Sequence, residues 1–250
     1  MLRLALLMLV LALVALPAQA ADRVTGEAFA TRSEVYAPHA MAATSHPLAT
    51  QIALDVMKSG GSAMDAAIAA NAALGFLEPT GCGIGGDCFV MLWDPAQRKV
   101  VGLNGSGRSP RGLSLETVRS RATNGHIPSH GAVSVSVPGA VDAWWALHQR
   151  YGRLTWGAVL APAIALAERG APVPQTIAYY LERNMAGFAR PGRGIEELEN
   201  ARRTYAPSGR TPREGEVFRN PDLARTYRLL AEGGRDAYYD GPIAETIERY

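Results

Sequence analysis

Cysteine is scarce: the 250 residues contain two, Cys82 and Cys88. A disulfide framework is therefore excluded, and the fold has to rest on an apolar core. An excess of charge of either sign is lacking too, with 25 Lys and Arg against 23 Asp and Glu and a formal net charge of +2. No block of like charges occurs and the arginines are scattered, so nothing steers nucleic acid or an anionic membrane surface to this chain. No repeat shows at periods of about 20–50 residues, and no heptad run points to a coiled coil. There is no Gly-x-Ser-x-Gly elbow, no His-Glu-x-x-His, no Walker loop and no carboxylate pair at telling spacing. The two cysteines have no neighbouring histidines at ligand spacing. No metal site, no cofactor and no catalytic group is assigned within these residues.

Long hydrophobic runs are confined to the start. Met1 to Ala20 carries one basic residue, Arg3, an apolar run from Leu4 to Leu16, a break at Pro17 and the small residues Ala18-Gln19-Ala20. That run is too short to span a bilayer, which takes about 20 apolar residues. The pattern predicts a secretory signal peptide over 1–20, a mature chain from about Ala21, and a periplasmic or secreted location without a stable membrane anchor.

What is present in excess is glycine in one place. Gly81, Gly83, Gly85 and Gly86 fall within six residues, between a helical region and the apolar run Phe89 to Trp93. Such density predicts a site or a tight backbone crossing. The spacing Gly81-x-Gly83-x-x-Gly86 fits a dinucleotide fingerprint, but the order is wrong, because a nucleotide loop leaves a strand and opens a helix. Cys82 and Cys88 sit in the same stretch, and a local disulfide or two buried thiols are both compatible with an oxidising compartment.

The chain is otherwise mostly helical with about three strands. Pro47 opens a helix that Gly60-Gly61 ends, and His46 at its entrance reads as a cap or packing residue. Ser62-x-x-Asp65 is a capping box for an alanine-rich, buried helix to about Phe76. Phe89–Trp93 and Lys99–Leu103 form a hairpin around Asp94-Pro95. The loop after it holds Arg108, which could grip a carboxylate bidentately or simply face solvent. Ser114 caps a short helix to about Arg121. Ala132–Val137 alternates with period two as a half-buried strand does. Pro138-Gly139 leads into a helix with Trp144 and Trp145, both read as core, which Gly152 stops. Thr155 begins another helix through Ala167, with Pro162 as a kink or a late start. Residues 189–216 are polar and read as a long loop. Asn220-Pro221 opens a helix ending at Gly233-Gly234, Tyr238–Gly241 is a turn, and Pro242 opens a last helix running to Tyr250 without a C-cap. That uncapped end predicts a polypeptide continuing into a larger fold. So few strands also need sheet partners from elsewhere.

Several segments in register carry a resemblance. His46-Pro47-Leu48-Ala49, Gly60 to Ala67, Glu78-Pro79, Gly83 to Gly86, Val137 to Val141, Tyr151 to Leu154, Leu160 to Ile164, Arg219 to Ala224 and Gly241 to Ala244 resemble the amino-terminal half of the γ-glutamyltransferase (glutathione hydrolase) family. The resemblance implies an α/β (α+β) chain, part of an αββα N-terminal-nucleophile (Ntn) hydrolase sandwich, mostly helical here, with its sheet completed by a small subunit. Residues 21–250 then form the large-subunit portion of a self-cleaving precursor. The small subunit would begin with a threonine whose hydroxyl attacks a γ-glutamyl amide while its own amine acts as base.

The resemblance also marks two departures. The family's Thr-Thr-His segment lies beyond Tyr250, so no residue here is catalytic and the stretch alone is expected to be inactive. Members that bind glutamate carry an arginine before an Ala-Pro pair after the hairpin, and aligning on Pro110 places Ser106 there. Arg108, two residues on, substitutes only if the loop winds differently. Ser106 and Arg108 are thus the candidate substrate-binding positions, and a small-molecule amide with a different acyl group, as in amide acylases of the same family, is an alternative to a γ-glutamyl substrate. A truncated, non-catalytic secreted module is the other alternative.

Overall fold

The computed structural model describes residues 35–192 and 195–249. The chain divides into two units, 1–36 and 37–250, and every element described below belongs to the second. The expected signal peptide over 1–20 lies outside the described residues, as does Tyr250 at the end of the last helix.

The first helix, α1, spans Pro47–Lys58, with His46 as its N-cap and Ser59 as its C-cap. The second, α2, spans Ala63–Leu77, and the expected capping box is present: the Ser62 side chain accepts from the Asp65 N–H and the Asp65 carboxylate accepts from the Ser62 N–H. This helix is buried along nearly its whole length, with Ala69, Ala72 and Ala73 fully inaccessible. Small side chains on every face let neighbours approach from all sides. One neighbour comes closest: a Cβ on Gly75 would lie 2.8 Å from the Tyr227 hydroxyl. A mid-helix glycine costs about 1 kcal/mol relative to alanine, but here it admits a phenol that donates 2.9 Å to the Ala72 carbonyl.

Strands β1 (Cys88–Asp94) and β2 (Lys99–Gly105) pair antiparallel, Cys88 opposite Gly105 and Asp94 opposite Lys99. The Asp94 carboxylate accepts from the Ala96 and Gln97 N–H groups and from the Tyr151 hydroxyl, closing the turn onto the helix that carries Tyr151. Then follow α3 (Leu115–Arg121), α4 (Ala140–Tyr151), α5 (Trp156–Arg169), β3 (Ala171–Pro172), α6 (Gln175–Phe188), α7 (Leu198–Tyr205), β4 (Val217–Phe218), α8 (Pro221–Gly233), α9 (Asp236–Tyr239) and α10 (Pro242–Arg249). Helix α2 packs between α1 and α5, α5 packs on α8, and α4 bridges α2 to the hairpin. Of the two tryptophans read as core, Trp144 is buried and donates 3.0 Å to Asn71 Oδ1, whereas Trp145 is only partly buried against the core. Trp156 is buried as well and donates 2.7 Å to the Leu230 carbonyl, so burial leaves neither buried indole unsatisfied.

Four expectations need correction. Ala132–Val137 is not a strand; Ala132–Ser134 forms a 3-10 turn, and Val135 and Val137 are exposed. Alternation describes a face, but a strand also needs a free edge to pair with, and the segment makes only one bond of that kind, Val137 N–H to the Arg108 carbonyl at 2.9 Å. Residues 189–216 are not one loop, since α7 lies inside them; its polar residues pair along the helix, as Glu199 does with Arg202, and composition alone hid that. Tyr238 and Tyr239 belong to a helical turn rather than a simple turn. Of the two options for Pro162, the late start is the one corrected: the proline lies inside α5, which starts at Trp156 behind its Thr155 cap as expected. Helix α6 went unread although Ile177 and Leu181, four apart, are its buried pair.

Asp65 is the polar joint of this core. It is wholly inaccessible, and its Oδ2 accepts from the N–H groups of Ser62, Arg153 and Leu154 at 2.8, 2.8 and 3.3 Å. Burial by itself would push the carboxyl up, but these backbone donors outweigh it and hold it below the ordinary carboxylate range. Replacing Asp65 with alanine leaves three N–H groups without their acceptor, and urea denaturation is expected to show a loss of about 3–5 kcal/mol. Because the folded carboxyl titrates lower than the unfolded one, its contribution is complete above the unfolded value near 4 and fades as pH falls below it. An Asp65→Ala protein with the wild-type midpoint, or the same acid sensitivity, would refute this account.

Candidate functional site

The residues singled out by sequence, Ser106 and Arg108, lie where β2 leaves the hairpin. Ladder pairing ends at Cys88 and Gly105, and two side chains take over from the backbone there. Asn104 Oδ1 accepts from the Ser106 N–H at 2.9 Å, and Asp87 Oδ1 accepts from the Gly107 N–H at 2.7 Å. One residue on, the Arg108 carbonyl accepts from Val137 at 2.9 Å. The chain is pressed flat between these points: a Cβ on Gly107 would lie 1.6 Å from the Val137 carbonyl oxygen, and one on Gly139 would lie 2.1 Å from that of Gly105. Only glycine fits at both.

The glycine-rich stretch forms the adjoining wall. The Gly86 carbonyl accepts from Gly139 and Ala140, both at 3.0 Å, at the start of α4. None of the four glycines has a left-handed φ, and a Cβ at Gly81, Gly83 or Gly85 would meet nothing within 4 Å. Their smallness is therefore not demanded by the described residues, which differs from the tight crossing expected and leaves open backbone on this side. From the other end of the chain, Tyr238 donates 2.8 Å to the Ile84 carbonyl and Tyr239 donates 2.7 Å to that of Pro138. Three loops, 81–87, 105–108 and 137–139, are thus tied into one cluster. Ser106 and Arg108 are exposed on it, and among the described residues no carboxylate pairs with the Arg108 guanidinium.

The other polar candidates do structural work. Cys82 and Cys88 are free thiols, which decides between the two options left open. Burial pushes both up, for Cys82 with help from the Glu78 charge, so neither is a ready thiolate. His46 is buried and its Nδ1 accepts from the Leu48 N–H, the capping role expected of it. Among the described residues no cluster of three His, Cys, Asp or Glu could hold a metal ion, and no helix is long and apolar enough to cross a membrane. Asp87 and Asn104 went unremarked in the sequence. An Asn two residues before the N–H that it captures is a local turn signal, but the Asp87 bond crosses 20 positions and has no local signature.

The hairpin itself is half covered. Val90, Leu92 and Leu103 pack on the helices, whereas Phe89, Met91, Trp93 and Val100 on the opposite face are 69, 81, 61 and 58% exposed. Four large apolar groups side by side mark a surface meant for contact.

Comparison with known proteins bears on this arrangement. The sequence profile described as gamma-glutamyltranspeptidase matches residues 49–250. A glutathione hydrolase-like proenzyme of Bacillus subtilis is 35% identical over 83% of this chain and 38% of its own length. The oxamate amidohydrolase proenzyme of Klebsiella pneumoniae is also 35% identical, over 84% of this chain and 39% of its own. The crystal structure of a cephalosporin acylase from Bacillus halodurans superposes with a TM-score of 0.81 and 41% identity, covering 90% of this chain and 42% of that one. The chain therefore spans about two fifths of the length of these relatives, and its helices and hairpin are part of their α/β fold.

His46 generates a prediction of its own. Burial pushes its imidazole below the ordinary 6.5, only partly offset by the charge of Glu78. The folded state holds it neutral and the unfolded state charges it, so stability is full above about pH 6.5 and declines as pH falls below that value. Substituting asparagine, which can still cap α1, is expected to flatten this decline in urea midpoints measured from pH 7.5 to 5; an undiminished slope would assign it to other groups.

Proposed function

The chain belongs to the gamma-glutamyltranspeptidase family, and from that premise we propose that it is the large-subunit portion of a self-cleaving amide hydrolase precursor, inactive until joined to the part carrying the nucleophile. In this reading a threonine freed at the start of the small subunit attacks the amide carbonyl, and its own amine takes the hydroxyl proton and passes it to the departing amine as the C–N bond breaks. The acyl group of the resulting threonine ester is then transferred to water or a second amine. The residues described here hold the substrate and form the sheet platform. The single observation carrying the proposal is the outer hairpin face, where Phe89, Met91, Trp93 and Val100 await a covering layer. The export expected from Met1–Ala20 belongs to the same reading, as does a small-molecule substrate with no nucleic acid partner.

For the substrate, we propose an amide whose acyl group carries a carboxylate gripped by Arg108. An exposed arginine on a tethered loop, with no acid paired to it among the described residues, suits bidentate capture of such a group. With Ser106 where an arginine would grip a glutamyl carboxylate, the captured carboxylate lies differently relative to the scissile bond. Glutathione is then a poor substrate, and a related carboxylated amide a better one. That the relatives include an oxamate amidohydrolase and a cephalosporin acylase supports this reading.

Two measurements check the proposal. Intact mass and N-terminal sequencing of the native protein are expected to show two chains, the smaller starting with threonine. In the cleaved enzyme Arg108→Ala is expected to raise KM for a carboxylated amide at least about tenfold, a loss of about 1.4 kcal/mol, while cleavage of the precursor proceeds. A single chain ending at Tyr250, or fast glutathione hydrolysis indifferent to Arg108→Ala, would overturn it. For the outer hairpin face, Met91→Glu removes nothing from the helical core, yet it is expected to destabilise the complete protein by about 3 kcal/mol or more by burying an unpaired charge. An unchanged melting temperature would show that this face stays in water.

A further inference from the structure

We infer that Asp87 is a positioning residue for substrate recognition: it winds the loop after the hairpin so that Arg108, rather than the residue at position 106, presents the cation. This rests on Arg108 being the carboxylate clamp and adds the group that makes it one. The Asp87 carboxylate reaches across the end of the hairpin, from the residue preceding β1 to the second residue after β2, and takes the Gly107 N–H at 2.7 Å. In an unperturbed ladder the strands would continue past Cys88 and Gly105 with backbone pairing. Here Asn104 Oδ1 takes the Ser106 N–H instead, and Asp87 takes the next one. Two side-chain acceptors in succession peel the chain off the sheet.

The loop then has no slack. Gly107 is held by its N–H on one side and by van der Waals contact with Val137 on the other, where a Cβ would come within 1.6 Å of the carbonyl oxygen. Arg108 is held through its carbonyl by the Val137 N–H. The peptide units on either side of the Gly107–Arg108 linkage are therefore each held by a hydrogen bond, and one of those bonds is made by Asp87. Charge-assisted bonds of this length are among the stronger ones a side chain makes to backbone. Asp87 is itself exposed, so its carboxylate needs no burial to act. Without it the Gly107 N–H returns to water and the loop is free to rewind, carrying Arg108 away from its fixed position.

The experiment uses the complete, self-cleaved enzyme with three carboxylated probes, oxamate, γ-glutamyl-p-nitroanilide and N-glutaryl-p-nitroanilide, and with N-butyryl-p-nitroanilide as the uncharged control. On the fastest carboxylated probe, Asp87→Ala is expected to raise KM about tenfold with kcat within about twofold, and to leave KM for the butyryl control unchanged. Asp87→Asn keeps an oxygen acceptor for the Gly107 N–H and is expected to stay near wild type. In an Arg108→Ala background, Asp87→Ala is expected to add nothing. Amide exchange at Gly107 should quicken in Asp87→Ala and not in Asp87→Asn, which reports the lost bond independently of turnover. Asparagine failing as badly as alanine would mean that the charge at 87 acts on the substrate directly, and additive effects in the double variant would mean that the two residues act separately; either result overturns the inference. An Arg108→Ala enzyme that is normal on every carboxylated probe sinks both the clamp and its positioning. A loss confined to Arg108→Ala keeps the clamp and removes Asp87 from it.

Discussion

One carboxylate organises the core. Asp65 sits at the start of α2, fully out of solvent, and its oxygen collects N–H groups from its own helix cap and from the turn between α4 and α5. A buried charge is tolerated only where such donors replace water. Here one donor, Arg153, comes from 88 positions away in sequence, so satisfying Oδ2 and closing the tertiary structure are the same event. The rest follows from where α2 then lies. It becomes the inaccessible axis against which α1 and α5 pack, and α8 reaches it through the Tyr227 hydroxyl seated over Gly75.

The site cluster hangs from that axis at the opposite end of α2. The glycine-rich stretch leaves the helix, the hairpin follows, and the tyrosines of α9 hold the loops on either side of Gly86 and Gly139. The tethers are mostly backbone hydrogen bonds with tyrosine or aspartate partners, rigid geometry that needs no metal or disulfide. What this cluster offers is a guanidinium that no carboxylate among the described residues pairs, on a fixed loop beside bare backbone. Under the proposed function such an arrangement would select a ligand by where its negative charge lies relative to the reacting bond, and moving the cation by two residues would shift preference among acyl groups. Relatives sharing the fold and named for glutathione, oxamate and cephalosporin are consistent with a scaffold whose specificity resides in such loop details.

The outer face of the hairpin expresses the same logic at the level of assembly. A two-stranded ribbon is marginal alone, and here only one face is buried against helices. With the exposed Phe89, Met91 and Trp93 between Val90 and Leu92, the strand has the unbroken apolar run of a sheet covered on both sides, although the described residues cover only one. A chain of about two fifths of its relatives' length is the context in which that pattern is physically consistent.

Much of this was legible in the sequence because it is local. The capping box at Ser62 and Asp65, the proline and glycine punctuation of α1, α4 and α8, the hairpin turn at Asp94, and the burial of an alanine-rich helix all follow from interactions spanning a few residues, which the chain encodes directly. Period-two alternation at 132–137 misled because a strand is defined by its partner, and polar composition hid α7 because its stabilising pairs are i to i+3 along one face. The pattern at Ser106 and Arg108 was visible, but how the loop winds was not. That depends on Asp87, 20 positions away, and on a carbonyl of Val137 that excludes every side chain but hydrogen at 107. The sequence by itself determined most of the helices, the side-chain caps at Ser62, Ser114, Thr155 and Asn220, and the unbroken apolar run of the hairpin's first strand. Only the tertiary structure decided how the backbone carrying Arg108 is held, because those bonds join residues that meet only after the core has closed.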